Sequence, residues 1–284
     1  MRLVFLGTAA AEGIPGLWCG CRVCREARKR GGKDIRRRCS YLIDSDTMID
    51  FGPDSFWQSQ TEHIDLPALR RIIFTHPHGD HLSPEQLYYR HAPGFCVDVP
   101  EYPLDILASK ETMRELVRGF INGSAVGVDP TQVFDYLRLR PTLVKPGVWT
   151  SSDDVEMLPV PASHALGMGA MIYAIRRGGR TVLIANDTGD LAPESWAMLE
   201  GVKLDAAVIE CTMGLRNPKY HLHLGFDTAL AFRRHLVDMG CLATDAPVYA
   251  NHFSHNGGGL HDELQEKFAP HGITVAYDGL SVEI

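Results

Sequence analysis

Four side chains able to ligate a metal fall within six residues of this chain: His76, His78, Asp80 and His81, in the run Phe74-Thr75-His76-Pro77-His78-Gly79-Asp80-His81-Leu82. The apolar run Arg71–Phe74 directly precedes them. A strand ending in a tight loop would aim all four into one pocket. Imidazole suits zinc, iron or nickel, and a carboxylate widens the choice toward manganese. Neutral His and ionised Asp are also the protonation states that such a site requires. A lone His reads as solvated surface. HxHxDH behind a buried strand does not, because such side chains seldom converge without a metal.

A second group lies nearer the start. Trp18-Cys19-Gly20-Cys21-Arg22-Val23-Cys24 offers three thiolates in a loop expected after the first strand. A tetrahedral zinc needs a fourth ligand. The chain offers one in Asn251-His252-Phe253-Ser254-His255. The expected site is one structural zinc on Cys19, Cys21, Cys24 and His255, tying an N-terminal loop to a C-terminal segment. By spacing alone, three reduced cysteines or a redox pair stand as alternatives. The chain has seven cysteines, an odd number, and in an intracellular protein their clustering points to metal rather than disulfides. Cys39, Cys96, Cys211 and Cys241 are scattered and are expected as buried small hydrophobes.

These groups need elements to position them. Short runs rich in Val, Ile and Tyr, bounded by Gly, Pro or Asp, predict strands at Leu3–Leu6, Ser40–Ile43, Thr47–Ile49, Arg71–Phe74, Asp105–Ala108, Val155–Val160, Met171–Ile175, Thr181–Ala185, Ala206–Ile209, Val248–Ala250 and Val275–Tyr277. Helices are predicted at Ser83–Tyr89, with Pro84 in the first turn, and at Lys110–Phe120, capped by Ser109. Two more are predicted at Phe226–Met239 and His261–Phe268, on apolar faces of helical spacing. Phe134-Asp135-Tyr136-Leu137-Arg138-Leu139-Arg140 reads as a further strand with two cations on one face, inside a stretch, Gly119–Pro146, that carries no motif. No linker, repeat or charge run divides the chain, so residues 1–284 are expected to form one layered domain.

Composition bounds the function. With 45% hydrophobic residues, the 284-residue chain has the material for a sizeable core. A net charge of −7 argues against a general grip on nucleic acid, which needs a basic surface. No apolar run approaches membrane-spanning length, and MRLVFLGTAA lacks the design of a secretion signal, so a cytoplasmic protein is expected. A two-fold homodimer is the base-rate expectation for assembly.

The stretch THPHGDHL matches the signature of the metallo-β-lactamase superfamily, and the resemblance runs along nearly the whole chain. It implies a four-layer αββα sandwich. It also implies that His164, in Val160-Pro161-Ala162-Ser163-His164, is the third-motif His. Asp187, in Ile184-Ala185-Asn186-Asp187-Thr188-Gly189, resembles the family's bridging carboxylate, and His252 its last His ligand. One metal would then sit on His76, His78 and His164, the other on Asp80, His81 and His252, with Asp187 between them. Asp50, in Met48-Ile49-Asp50-Phe51-Gly52, resembles the family's conserved Asp and would orient a ligand His through its other nitrogen. Two divalent cations roughly 3.5–4 Å apart can share a water and acidify it enough for hydrolysis near neutral pH.

CxCxxC with a late HxxH is similar to the cyclic-phosphate phosphodiesterase branch of the carbon–phosphorus lyase pathway. That branch opens 5-phospho-α-D-ribosyl 1,2-cyclic phosphate. The resemblance implies two catalytic divalent metals (zinc or manganese, with iron also open), a small anionic phosphodiester as substrate and a proton donor before a helix. His223 fits that place better than His221, in His221-Leu222-His223-Leu224-Gly225-Phe226. Arg36-Arg37-Arg38, and the pair Arg138 and Arg140, stand as candidates for a substrate phosphate, against a solvated turn and an exposed strand face. Other readings on the same scaffold are a lactone or thioester hydrolase and an RNA-processing nuclease. A non-catalytic metal-dependent carrier, similar to the superfamily member of quinone-cofactor biosynthesis, differs in class.

Overall fold

The structure is a computed structural model that describes residues 1–91, 94–123, 129, 132–217 and 221–284. In chain order the first half contributes β1 (Arg2–Gly7), α1 (Arg22–Arg30), β2 (Ser40–Ile43), β3 (Thr47–Ile49), α2 (Ser55–Thr61), β4 (Arg71–Ile73), α3 (Pro84–Tyr88), β5 (Leu104–Ala108), α4 (Lys110–Gly123), α5 (Val133–Tyr136) and β6 (Leu139–Leu143). The second half contributes β7 (Thr150–Ser152), β8 (Val155–Pro161), β9 (Met171–Arg177), β10 (Arg180–Ala185), α6 (Pro193–Met198), β11 (Ala206–Glu210), α7 (Phe226–Asp238), β12 (Val248–Asn251), α8 (His261–Phe268), β13 (Ile273–Val275) and β14 (Ser281–Glu283).

Two seven-stranded sheets result, in the orders β14-β1-β2-β3-β4-β5-β6 and β13-β12-β11-β10-β9-β8-β7. Within the first, β3 to β6 run parallel; within the second, β10 to β13 do. Parallel neighbours require crossovers, and these carry the outer helices.

Strand periodicity decides which side chain serves which layer. In β1, Leu3 and Phe5 enter the layer between the sheets, while Val4 and Leu6 face the outer layer beneath α3 and α4. In β10, Val182 and Ile184 meet the same inner layer, and Leu183 and Ala185 pack outward with residues of α6, α7 and α8. Tyr41, Ile43, Ile73 and Leu107 of one sheet face Met157, Tyr173, Ile175 and Val208 of the other. The helix–sheet–sheet–helix stack is the expected αββα sandwich. Fully burying each such aliphatic or aromatic side chain stabilises the fold by about 1.5–3 kcal/mol. Among the described residues, no helix is long and apolar enough to cross a membrane.

The expected elements recur with instructive departures. Ser109 caps α4, its Oγ accepting from the Thr112 N–H at 3.2 Å. Ser83 precedes α3, but its hydroxyl turns to Glu85 instead of a backbone N–H. The strand expected through Phe134–Arg140 is instead the short helix α5 followed by β6 from Leu139. Arg138 makes the break: its φ of 51° is incompatible with a continuous strand. The last predicted strand shifts to Ile273–Val275, and α1, α2, α6, β7 and β14 had no counterpart in the sequence reading. Part of Gly119–Pro146, residues 124–128, 130 and 131, lies outside the described residues.

Candidate metal centre

Ligand-type side chains converge at strand ends from both sheets. β4 leads into His76, His78, Asp80 and His81; β8 leads to His164, β10 to Asp187 and β12 to His252. Backbone geometry turns several of these ends inward, since Asp50, Asp187 and His252 have φ values of 60°, 42° and 59°. Such left-handed positions are costly for non-glycine residues and cluster at functional sites. Gly52 lets the β3 end approach the metal loop: a Cβ there would lie 1.9 Å from the Asp80 carbonyl oxygen.

The side chains form two separate groups, His76/His78/His164 and Asp80/His81/Asp187/His252, each able to hold one cation, and His164, Asp187 and His223 make a third grouping that overlaps both. His78 Nδ1 lies 2.9 Å from His76 Nε2 and 3.1 Å from His164 Nε2. Asp187 stands between the groups. Its Oδ2 is 2.7 Å from His81 Nε2, 3.1 Å from His252 Nε2 and 3.7 Å from His76 Nε2, while Oδ1 is 4.0 Å from His164 Nε2. Asp80 Oδ2 lies 3.0 Å from His81 Nε2.

The outer nitrogens are held in turn. Asp50 Oδ2 accepts from His81 Nδ1 at 2.6 Å. Thr75 Oγ1 donates to Asp50 at 2.8 Å and so accepts from His76 Nδ1 at 3.0 Å. Thr212 Oγ1 meets His252 Nδ1 at 2.9 Å. These partners leave the Nε2 lone pairs facing inward, the tautomer a ligand needs.

The donor set fits cations. His81 Nε2 and His252 Nε2 are buried and make no well-aligned hydrogen bond, although both crowd against Asp187 Oδ2. Burial opposes charge on Asp187, yet His252 and His81 hold its carboxyl well below the usual range. Burial likewise opposes charge on His81, but Asp80 and Asp50 raise it well above the ordinary imidazole value. His76 and His164 go the other way: burial pushes His76 well down and His164 to about 4. Buried carboxylates among inward lone pairs ask for positive charge at the centre, which divalent ions supply.

His223 reaches this centre and His221 does not. His223 Nδ1 lies 3.6 Å from Asp187 Oδ1 and 2.9 Å from Glu210 Oε1. Burial lowers the His223 imidazole, but the bond to Glu210 outweighs it and leaves it raised. His221 is exposed. Its carbonyl packs on Gly189, where a Cβ would lie 1.6 Å away. The centre opens into a cavity of about 380 Å³ lined by Ala10, Ala11, Glu12, Thr212, Met213, Ser254 and Asn256 with the site residues.

Sequence reasoning missed Glu210 and a buried knot below the ligands. Glu210 ends the apolar strand β11, is fully buried and accepts the Thr212 N–H at 2.6 Å. Asn186 and Asn251, each directly before a ligand, both donate to Cys39 Sγ, at 3.0 and 3.1 Å. Tyr41 closes the knot, donating to Asn186 Oδ1 at 2.5 Å and accepting from Asn251 Nδ2 at 2.7 Å. The readable signal was the repeated Ala-Asn-ligand pattern in Ala185-Asn186-Asp187 and Ala250-Asn251-His252. Cys39 is thus a hydrogen-bonded polar group, while Cys211 and Cys241 are buried as expected and Cys96 is only partly so.

The second cluster also assembles. Cys19, Cys21, Cys24 and His255 group closely enough for one ion, with His255 Nδ1 3.7 Å from Cys19 Sγ and 3.8 Å from Cys21 Sγ. The segment is not all loop: Cys21 caps α1, accepting the Cys24 N–H at 3.5 Å, and Cys24 lies within the helix. Burial opposes ionisation of Cys21, but that N–H and neighbouring groups draw it down to about 7. Burial pushes Cys24 up to about 12. Cys21 and Cys24 would ionise together only beside a cation.

The arginine candidates are engaged elsewhere. Arg36 is buried, bonding Thr8, the Ala276 carbonyl and His261. Arg37 pairs with Asp278 and Glu62, and Arg38 with Asp54. The triplet is therefore neither a solvated turn nor a phosphate clamp. Arg138 donates to the Val99 and Pro100 carbonyls, and Arg140 pairs with Asp105 at 2.5 Å.

The chain belongs to the beta-lactamase superfamily: the family model described as a beta-lactamase superfamily domain matches residues 45–239. Among solved structures it is similar to a diphosphatase from the PhnP family, at 24% identity and TM-score 0.73, over 100% of this chain and 98% of that one. Zn(2+)-bound PqqB from Methylobacterium extorquens is similar at 16% identity and TM-score 0.72, over 100% of both chains. Human tRNase Z, short form, is similar at 16% and TM-score 0.63, over 100% and 99%. Identities this low show the shared fold. Two curated proteins match locally. Coenzyme PQQ synthesis protein B of Rhodopseudomonas palustris is 32% identical over 120 residues, covering 40% of this chain and 33% of that protein. An octanoyltransferase of Porphyromonas gingivalis is 37% identical over 87 residues, covering 29% and 17%. The match thus spans a third or less of either curated relative's length.

Proposed function

We propose that this protein is a metal-dependent phosphodiesterase. It would hold two catalytic divalent cations, zinc or manganese with iron as a further option, and one structural zinc on the cysteine cluster. The observation that carries the reading is the convergence of two ligand groups on Asp187 with a glutamate-held imidazole, His223, beside them. Fold likeness to a diphosphatase and a tRNase Z supports phosphoryl chemistry over lactone or thioester chemistry.

His76, His78 and His164 would hold one cation, and Asp80, His81 and His252 the other, with Asp187 shared. When bound, the cations supply an acidified water and take up charge on the phosphoryl oxygens. The chain's own residues do the rest. Asp50, Thr75 and Thr212 fix three imidazoles with their inner nitrogens free. Glu210 engages His223 at Nδ1, which leaves the Nε2 proton for the leaving oxygen as the P–O bond breaks. Water adds to phosphorus, one ester bond is cleaved, and a phosphomonoester and an alcohol result.

The first substrate to test is 5-phospho-α-D-ribosyl 1,2-cyclic phosphate, against bis(4-nitrophenyl) phosphate, with zinc or manganese supplied. Selective opening to the 1,5-bisphosphate is expected. Hydrolysis of the aryl diester alone would keep the phosphodiesterase and discard the ribosyl substrate. Inertness toward both, with metals bound, would favour the carrier reading, which the local likeness to a PQQ synthesis protein supports.

A further inference from the structure

Glu12 faces the same cavity as the metal groups, yet neither ligand group includes it. Its carboxylate is anchored at one oxygen. Oε1 accepts from the Ser254 hydroxyl and from Asn256 Nδ2 at 3.2 Å, and lies 3.6 Å from His255 Nε2. No hydrogen bond among the described residues engages Oε2, and the side chain is 32% exposed. A fixed carboxylate with one free oxygen at the wall of a cleft is an acceptor awaiting a donor.

The rest of the wall sharpens the reading. No lysine or arginine is among the described residues that line the cavity, and the nearby Arg36, Arg37 and Arg38 are bound to structural partners. A phosphate at the centre would be neutralised by cations, but a second anion beside it would meet Glu12 without a partner.

We infer that Glu12 is a specificity residue, selecting phosphodiesters that carry a hydroxyl or ammonium group beside the scissile phosphate and disfavouring those with a second anion there. This rests on the phosphodiesterase reading and narrows it. In the ribosyl cyclic phosphate, the ring hydroxyl next to the cyclic ester would face Glu12, and the 5-phosphate would point out of the cavity.

The test compares three 4-nitrophenyl phosphodiesters whose second alcohol is ethyl, 2-aminoethyl or 2-carboxyethyl. In the metal-loaded protein, kcat/KM should fall in the order aminoethyl, ethyl, carboxyethyl, with about tenfold or more between the extremes. Glu12→Gln keeps an acceptor for Ser254 and Asn256 and should compress that range to about threefold; Glu12→Lys should reverse it. The ratio does not depend on the fraction of active protein, so a merely structural role for Glu12 would leave it unmoved. Equal rates for the charged pair, or a preference for carboxyethyl, in the unmodified protein would overturn the inference. If no diester is hydrolysed, the phosphodiesterase reading fails, and calorimetric binding of 2-aminoethylphosphonate against 3-phosphonopropionate then tests Glu12 alone. Tighter binding of the amine, lost in Glu12→Gln, upholds it; equal binding sinks it.

Discussion

The two ligand clusters are built on opposite plans. In the histidine–aspartate centre, ligands come from four strand ends spread over both sheets, and all but His78 are buried. In the cysteine cluster, three of four ligands lie within six residues, and next to them Trp18 is 99% exposed. The first is held by the scaffold and by hydrogen bonds to the outer nitrogens of its imidazoles; the second depends on one helix cap and one distant histidine. Pre-formed geometry costs little on loading, whereas a site closing a loop converts binding energy into local stability. Losing an ion should therefore silence one cluster chemically and loosen the other mechanically.

The largest effect should come from Asp187, the residue proposed to be shared by both metal groups. Asp187→Ala should remove two ions per chain, read by elemental analysis, and lower kcat/KM by about a thousandfold or more. A variant that kept both ions would break the assignment of Asp187 as shared. Next comes the proposed proton donor: His223→Ala should reduce kcat by about a hundred- to ten-thousand-fold with metal content unchanged, whereas His221→Ala should leave the rate near normal. Equal losses in the two would return the choice between them to open ground.

The cysteine cluster should answer differently. Cys24→Ser is expected to release one zinc and lower Tm by roughly 5–10 °C, while retaining most catalytic activity at ambient temperature. Loss of activity with no change in Tm would mean that the clusters are not separable. The smallest effect tests the knot under the ligands. Asn186→Ala and Asn251→Ala should each cost about 1–3 kcal/mol in denaturant unfolding, and the double variant less than their sum. Strict additivity would deny that the knot acts as one unit.

Much of the centre was legible because its chemistry is local. His76 to His81 form one short run behind an apolar strand, whereas His164, Asp187 and His252, single residues after strands, stood out only through the resemblance to the metallo-β-lactamase superfamily. The thiol group was visible as a cluster, but its spacing alone left a zinc site and free or redox thiols as alternatives, and the resemblance favoured zinc with His255, three residues past His252. What escaped was set by contacts distant in sequence. Arg36 to Arg38 read as a solvated turn or a phosphate contact because their partners, among them Asp278, Glu62 and Asp54, are not adjacent in sequence. The alternation through Phe134–Arg140 imitated a strand, and only the backbone turn at Arg138 breaks it. Helix α1 has no strong apolar periodicity to read, since Arg22–Arg30 has few apolar residues and its start is fixed by a thiol cap. Glu210 was hidden because a single acid ending an apolar strand has no spacing to read.

The knot of Cys39, Tyr41, Asn186 and Asn251 has a bearing on descent. Its four members come from three strands and their ends, and each fills a hydrogen-bonding role that the others cannot supply alone. A change at one position strands buried polar atoms at the rest, so a lineage would cross from this arrangement to another only by several substitutions made nearly together. Across relatives, these four positions should be inherited as a set.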